Sequence, residues 1–198
     1  LWGINKWNNI EDSIMSKILV DTIDTRSGTS NITIGSSNAS QITLKSGATL
    51  TNFPANTPAF EAYNNGDQSI SNATYTKMEA DTERFDTNNN YASNRFTPTV
   101  AGKYFVYAKA TLKLPDYTIY SHRLSIYKNG SGYMYSEGTI NSNNTLAFPM
   151  SVYSTIDMNG SSDYVEIFGY LEKHSGSDGV FESDSPQSIF GAYRVIVE

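Results

Sequence analysis

The chain has 198 residues, a net charge of −6, an isoelectric point of about 4.9 and no cysteine. Disulfides and thiolate metal sites are therefore excluded. The chain has no cluster of Lys and Arg, which argues against nucleic acid as a partner. Aromatic residues reach 13% while charged residues stay at 17%, below the roughly 25% of an average soluble domain. Aromatic side chains suit pleated sheets, so the composition indicates β structure.

Residues 1–14 form the first predicted segment. Trp7, Ile10 and Ile14 follow helical spacing, which predicts one or two turns of amphipathic helix. Met15 then reads like a translation start. Two interpretations stay open: the segment attaches the chain to a larger particle, or it is a frayed terminus. No apolar run reaches the roughly 18 residues of a membrane helix, and no signal-peptide pattern opens the chain, so we expect no membrane insertion.

Residues 15–57 carry short apolar alternations separated by turn residues. Ile32-Thr33-Ile34 and Ile42-Thr43-Leu44 lie ten residues apart, and each precedes a Gly/Ser-rich stretch. Strands this short cannot bury themselves in one chain, whereas sister chains around an axis would cover them. We therefore predict an extended, β-rich trimeric stalk that ends near Thr57-Pro58. A flexible linker is the alternative.

Residues 58–198 read as strands separated by turns, with no helical run between them. The strongest pattern runs from Gly102 to Leu114, where apolar residues alternate with Phe105, Tyr107, Lys109 and Thr111. Lys128-Asn129-Gly130 is a hairpin turn signal. Many short strands at this spacing predict an all-β sandwich. The predicted strands are 59–63, 75–85, 102–114, 122–127, 133–136, 146–156, 164–171 and 188–197.

The spacing of aromatic and glycine residues in this region resembles the C1q family. Phe96 is followed by five residues, Gly102 and then Tyr104 on the next strand, and Gly191 lies near the start of the last strand. The sequence departs from the family pattern at four positions, where aromatic residues are usual: Val106, Ala108, Ile189 and Ala192. The resemblance implies a C1q/TNF-like jelly roll of about ten strands that forms homotrimers.

The first part of the chain resembles a different group. Residues 15–48 look like the opening of tail-fibre or virion-fibre proteins of marine bacteriophages, several of which carry a C1q-like head. Together the two resemblances imply a viral fibre. No collagen-like Gly-X-Y repeat is present, which separates the chain from animal C1q relatives.

The two faces of the strand from Gly102 to Leu114 suggest where subunits meet. One face can fill the sandwich, but Phe105 and Tyr107 on the other face would form an exposed apolar patch. We therefore predict Phe105 and Tyr107 in a trimer interface. Isolated exposed aromatic residues are the alternative.

The family topology places four long loops at the end of the head away from the stalk. These tip loops are residues 64–76, 113–121, 137–145 and 173–187. Long loops on a rigid sandwich often carry recognition, and aromatic rings beside amides and carboxylates suit sugars. We expect receptor binding there, to a bacterial surface glycan or an outer-membrane protein, although the loops can also be merely solvated. The candidate residues are Tyr117, Tyr120, Asn141, Asn143, His174, Asp178, Phe181 and Asp184.

Catalytic motifs are missing from the sequence. Only two histidines exist, and no metalloprotease, hydrolase or P-loop spacing occurs. Asp178, Glu182 and Asp184 could act as glycosidase carboxylates or hold Ca²⁺, but acidic residues in a Gly/Ser loop are usually just solvated. We therefore predict no catalytic residue, no metal site and no cofactor.

The sequence thus predicts a trimeric phage fibre on the virion, extracellular when it functions. Its N-terminal region would attach to tail or capsid proteins, and its head would bind the host surface. Three alternatives stay open: a structural decoration or spike without receptor binding, a fibre that cleaves polysaccharide, and a bacterial surface or spore-coat protein with the same head.

Overall fold

The computed structural model describes residues 46, 56–114, 119–140, 147–173, 178–183 and 188–195. The chain divides into two compact units, Leu1–Thr51 and Asn52–Glu198. The predicted extension at 1–14, and nearly all of the predicted stalk at 15–57, lie outside the described residues. Within the described ranges, no helix is long and apolar enough to cross a membrane. Every described strand belongs to the second unit.

Thirteen β-strands make up the described part of this unit, and several of them are only two or three residues long. In chain order they are β1 (Ala59–Tyr63), β2 (Gln68–Ile70), β3 (Thr76–Lys77), β4 (Thr82–Asp86), β5 (Tyr91–Ala92), β6 (Arg95–Phe96), β7 (Gly102–Lys113), β8 (Ile119–Lys128), β9 (Ser131–Thr139), β10 (Ala147–Met158), β11 (Val165–Lys173), β12 (Gly179–Phe181) and β13 (Ile189–Val195).

The strands form two antiparallel sheets. The first sheet has the order β4-β1-β13-β7-β10. In the same sheet, β12 pairs with Leu112 and Lys113 at the end of β7, and β2 pairs with β12. The second sheet has the order β5-β6-β11-β8-β9, and β3 also pairs with β11. The chain crosses between the sheets from β7 to β8, from β9 to β10 and from β10 to β11, as in a jelly roll. The predicted all-β jelly-roll sandwich is confirmed.

The core lies between the sheets, and β7 shows how the sequence defines it. Its residues Tyr104, Val106, Ala108, Ala110 and Leu112 are all buried, while Phe105, Tyr107 and Lys109 point to the other side. Because side chains alternate along a strand, one apolar residue in two is enough to fill the sandwich. The predicted alternation of this strand is confirmed.

An aromatic cluster lies within the core. The ring of Phe60 stacks on Tyr91 at 4.4 Å and on Phe96 at 4.6 Å, and it meets Phe190 edge-on at 4.8 Å. Such pairs stabilise a fold by about 0.5–1.5 kcal/mol each beyond the area they bury. Phe96, the phenylalanine of the family-like spacing, is therefore a core residue.

The hairpin between β8 and β9 forms where the sequence predicts it. Asn129 and Gly130 have φ angles of 52° and 78°, which a two-residue turn needs if it is to follow the twist of the strands. The side-chain oxygen of Asn129 also accepts a hydrogen bond from the Tyr164 backbone N–H at 2.9 Å. The turn is thus tied to the strand beside it.

The predicted tip loops at 64–76 and 173–187 each contain a short strand. β2 lies within the first range and β12 within the second, and the two strands pair with each other. Phe181 of β12 is 0% exposed, and its ring covers Gly169, where an added Cβ would lie 2.4 Å from the ring. Phe181 is therefore a core residue, and its prediction as a receptor-binding residue is wrong.

Candidate interaction surfaces

Four aromatic side chains gather on the outer side of the first sheet, and we call Phe105, Tyr107, Tyr153 and Tyr193 the aromatic face. Tyr153 lies opposite Tyr107, and Tyr193 lies opposite Phe105. The Phe105 ring is 6.1 Å from Tyr107, 6.1 Å from Tyr153 and 5.5 Å from Tyr193. Tyr153 is 65% exposed and Tyr193 is 39% exposed. The predicted pair is thus part of a larger apolar surface.

Tyr107 is held in place by its neighbours. Its ring lies across Gly191, where an added Cβ would come within 2.4 Å of the ring. The Tyr107 hydroxyl donates to Oε2 of Glu61 at 2.6 Å, and Arg84 pairs with the other oxygen of this carboxylate. Burial, and then the bond to Glu61, raise the pKa of Tyr107. The glycine of the family-like pattern therefore lets Tyr107 lie flat.

An open groove of about 360 Å³ borders the aromatic face. It runs between β9 and β10, each the last strand of its sheet on this side. Met134 lies opposite Ile126 on the core side of β9 and is nevertheless exposed. Tyr153 belongs both to the groove and to the aromatic face, so the two surfaces are continuous. The groove is lined by Met134, Tyr135, Ser136, Ser151, Val152 and Tyr153.

The described parts of the predicted tip loops meet at one end of the sandwich. The Asn72 side chain accepts from the Lys173 backbone N–H at 3.0 Å, and Asp67 accepts from the Ser183 backbone N–H at 2.7 Å. The second bond lowers the pKa of Asp67. The Arg194 backbone N–H donates to the Asn56 carbonyl at 3.3 Å, so the chain enters the head at the opposite end.

Two of the predicted receptor-binding residues lie on the surface at this end. Tyr120 is 42% exposed at the start of β8. Asp178 is exposed, and its carboxylate lies 3.6 Å from the ammonium group of Lys173. Because Ile119 pairs with Lys173, the structure brings both residues to the same end. The remaining candidates, apart from the buried Phe181, lie outside the described residues: Tyr117, Asn141, Asn143, His174 and Asp184.

The acidic residues considered for catalysis or Ca²⁺ have other partners where they are described. Glu182 pairs with Lys113 at 2.8 Å, and Asp178 faces Lys173. Asp184 lies outside the described residues. Among those that are described, no three His, Asp or Glu side chains group closely enough to hold a metal ion.

A second aromatic surface covers the outer side of the second sheet. Arg123 lies between the rings of Tyr75 and Tyr135, and its guanidinium also pairs with Glu137. We call Tyr75, Arg123, Tyr135 and Glu137 the tyrosine platform. Tyr135 is 57% exposed. The ring of Tyr75 packs against the rings of Tyr127 and Tyr170, and Tyr127 in turn packs against Phe168.

No protein-family model matches this sequence, and no curated protein matches it. Among solved structures, the chain is similar to the globular domain of the zebrafish complement 1qA protein. The two chains are 12% identical, and the match covers 71% of this chain and 99% of that one, with a TM-score of 0.49.

Sequence reasoning missed the tyrosine platform because its members come from separate segments. Tyr135 and Glu137 alternate along β9, and Arg123 lies opposite Glu137 on β8. Tyr75 precedes a strand of only two residues. The alternation of Tyr135 and Glu137 along β9 could have indicated an outward-facing pair. Only the pairing of β8 with β9 shows that Arg123 lies beside them.

Proposed function

We propose that the chain is a homotrimeric, non-catalytic fibre protein of a bacteriophage virion whose C-terminal head attaches to the surface of a host bacterium. The aromatic face is the observation that carries this proposal. The resemblance of residues 15–48 to phage fibre openings and of the head to the C1q family supports it. In this proposal the N-terminal region binds tail or capsid proteins.

The aromatic face is unusual for a monomer. Soluble monomers seldom expose contiguous apolar patches of more than a few hundred Å². Here the centre of the Phe105 ring lies between 5.5 Å and 6.1 Å from the centres of the other three rings, which come from β7, β10 and β13. Each square ångström of apolar surface removed from water contributes about 25 cal/mol. Burial between subunits therefore offers a large stabilisation that a single chain cannot obtain.

A threefold assembly also needs a second surface, because the aromatic face of one subunit meets a different part of the next. In our proposal this second surface is the β10 side of the groove together with Met134, and the exposed ring of Tyr135, which also lines the groove, stays outside the contact. The second surface begins at Tyr153 and exposes the apolar side chain of Met134. Three copies of one contact then close a ring. The loop end, opposite the chain entry, faces outward towards the host.

The molar mass of the purified protein in solution tests whether it is a trimer. We expect light scattering after size-exclusion chromatography of the full chain to give three times the 21.9 kDa chain mass. Tyr153→Ser should give monomers that keep their β-sheet circular dichroism, because this side chain is mostly exposed in the single chain. Tyr133→Ser changes a tyrosine that is exposed on the second sheet and should remain trimeric. A stable, soluble wild-type monomer at micromolar concentration would contradict the proposal.

A further inference from the structure

We infer that the tyrosine platform is a binding site for a neutral saccharide of the bacterial surface. The inference rests on the proposed attachment function, and it names the class of receptor and the face that binds it. The platform lies on the outer side of the second sheet, and one of its members, Tyr135, also lines the groove beside the aromatic face.

The platform combines flat apolar surface with hydrogen-bonding groups at its edges. The guanidinium carbon of Arg123 lies 4.6 Å from the centre of the Tyr135 ring and 5.8 Å from that of Tyr75. Arg123 Nε donates to Oε2 of Glu137 at 2.9 Å. A pyranose ring has an apolar C–H face that packs on an aromatic ring, and hydroxyls around its rim. Tyrosine, arginine and glutamate side chains can pair with those hydroxyls.

The platform is organised before any ligand arrives. Tyr170, Arg123 and Glu137 lie opposite one another across three adjacent strands. The ring of Tyr75 packs against Tyr170 at 4.9 Å and against Tyr127 at 6.0 Å. Because neighbours fix these side chains, binding need not order them first, which favours affinity. Tyrosine adds a large contact area at a small cost in conformational entropy.

The balance of side chains favours a neutral saccharide over a protein or an anionic polymer. The outward positions of β8, β9 and β11 carry aromatic, serine and charged side chains, whereas the aliphatic residues of these strands face the core. On the outer side of this sheet three cations pair with two carboxylates, and Glu172 adds a third carboxylate, so no excess charge draws an acidic ligand. These groups are Lys77, Arg95, Arg123, Glu137, Glu166 and Glu172.

Repetition of the platform around a threefold axis would strengthen a weak single site. A shallow surface of this kind binds one sugar unit weakly. The three platforms of one trimer would bind a repeating polysaccharide at several points, which raises the overall affinity without any new type of contact. A surface polysaccharide with many identical units is therefore the ligand that such a head can hold.

Binding of the full chain to a panel of bacterial cells tests the inference. We expect mild periodate treatment, which cleaves sugar diols, to remove binding, and protease treatment of the same cells to leave it. Tyr135→Ala should weaken binding at least about tenfold, equivalent to about 1.4 kcal/mol. Tyr135→Phe, which keeps the ring, should retain most of the binding. Tyr133→Ala, on the same strand but outside the platform, is the matched control.

The outcomes separate the two proposals. If wild-type protein binds cells and Tyr135→Ala binds equally well, the platform is not the saccharide-binding site, but the proposal that the head attaches to the host surface is unaffected. If binding is retained after periodate treatment but lost after protease treatment, the receptor is a protein and the saccharide inference is contradicted. If wild-type protein binds no strain of the panel and no bacterial polysaccharide on an array, attachment itself fails. The mass of each variant shows whether lost binding reflects a lost trimer. If Tyr135→Ala is not trimeric, Glu137→Gln replaces it, and unchanged binding by that variant contradicts the inference.

Discussion

At the scale of single residues, His122 is a buried base in an apolar site. Its ring stacks on Phe148 at 4.2 Å, and Gly138 lies directly opposite it on β9. An added Cβ at Gly138 would come within 2.5 Å of the imidazole. The Nδ1 atom is buried and has no hydrogen-bond partner among the residues that the structure describes. Burial therefore lowers the pKa of His122.

The lowered pKa of His122 predicts a loss of stability in mild acid. The unfolded chain binds a proton at His122 more readily than the folded chain does. The free energy of unfolding therefore has its full value above about pH 6.5 and decreases as the pH drops below about 6.5. We expect His122→Leu to remove most of the fall between pH 7 and pH 5, measured as the urea midpoint. His174→Ala, at the other histidine of the chain, should keep it. An unchanged fall in His122→Leu would show that other groups cause it.

At the scale of elements, one carboxylate fastens two very short strands to the second sheet. Glu166 on β11 is 4% exposed and accepts from Arg95 of β6 at 2.9 Å and from Lys77 of β3 at 3.2 Å. Arg95 also covers the ring of Tyr164 at 3.8 Å. Strands of two residues have few ladder hydrogen bonds of their own, so this ion-pair network holds them.

Removal of the Glu166 charge should loosen both strands. We expect Glu166→Gln to lower the free energy of unfolding by about 1–3 kcal/mol, because it leaves two cations with a weaker, neutral acceptor. Asp157→Asn breaks the exposed pair with Lys103 and should cost less than about 1 kcal/mol. Hydrogen exchange should speed up at β3 and β6 in the first variant. Equal effects of the two substitutions would contradict a special role for Glu166.

The length of an element also decides what the sequence can predict. β7 and the β8–β9 hairpin show their alternation and turn over many residues, and both predictions are confirmed. β2, β3, β5, β6 and β12 have two or three residues each, too few to show a period of two. They form because a neighbouring strand offers them unpaired backbone groups. Phe181 was misassigned for this reason, since its core position depends on pairing between β12 and β7.

At the scale of the whole molecule, the sequence predicts surfaces only where one strand carries them. Phe105 and Tyr107 alternate along β7, so their outward position could be foreseen. Tyr153 and Tyr193 join them through pairing with β10 and β13, which no local pattern reveals. The tyrosine platform likewise combines β8, β9 and the segment before β3. Sites assembled across strands become visible only when the register is known.

The position of the aromatic face within the chain leads to a prediction about assembly. All four of its residues lie in the unit Asn52–Glu198, which has its own core and should fold alone. We expect a chain of residues 52–198 to remain trimeric, with an unfolding temperature that rises with protein concentration, because association stabilises only the folded state. Tyr153→Ser in this shorter chain should abolish the concentration dependence. A monomer formed by the shorter chain, beside a trimer formed by the full chain, would instead assign assembly to residues 1–51.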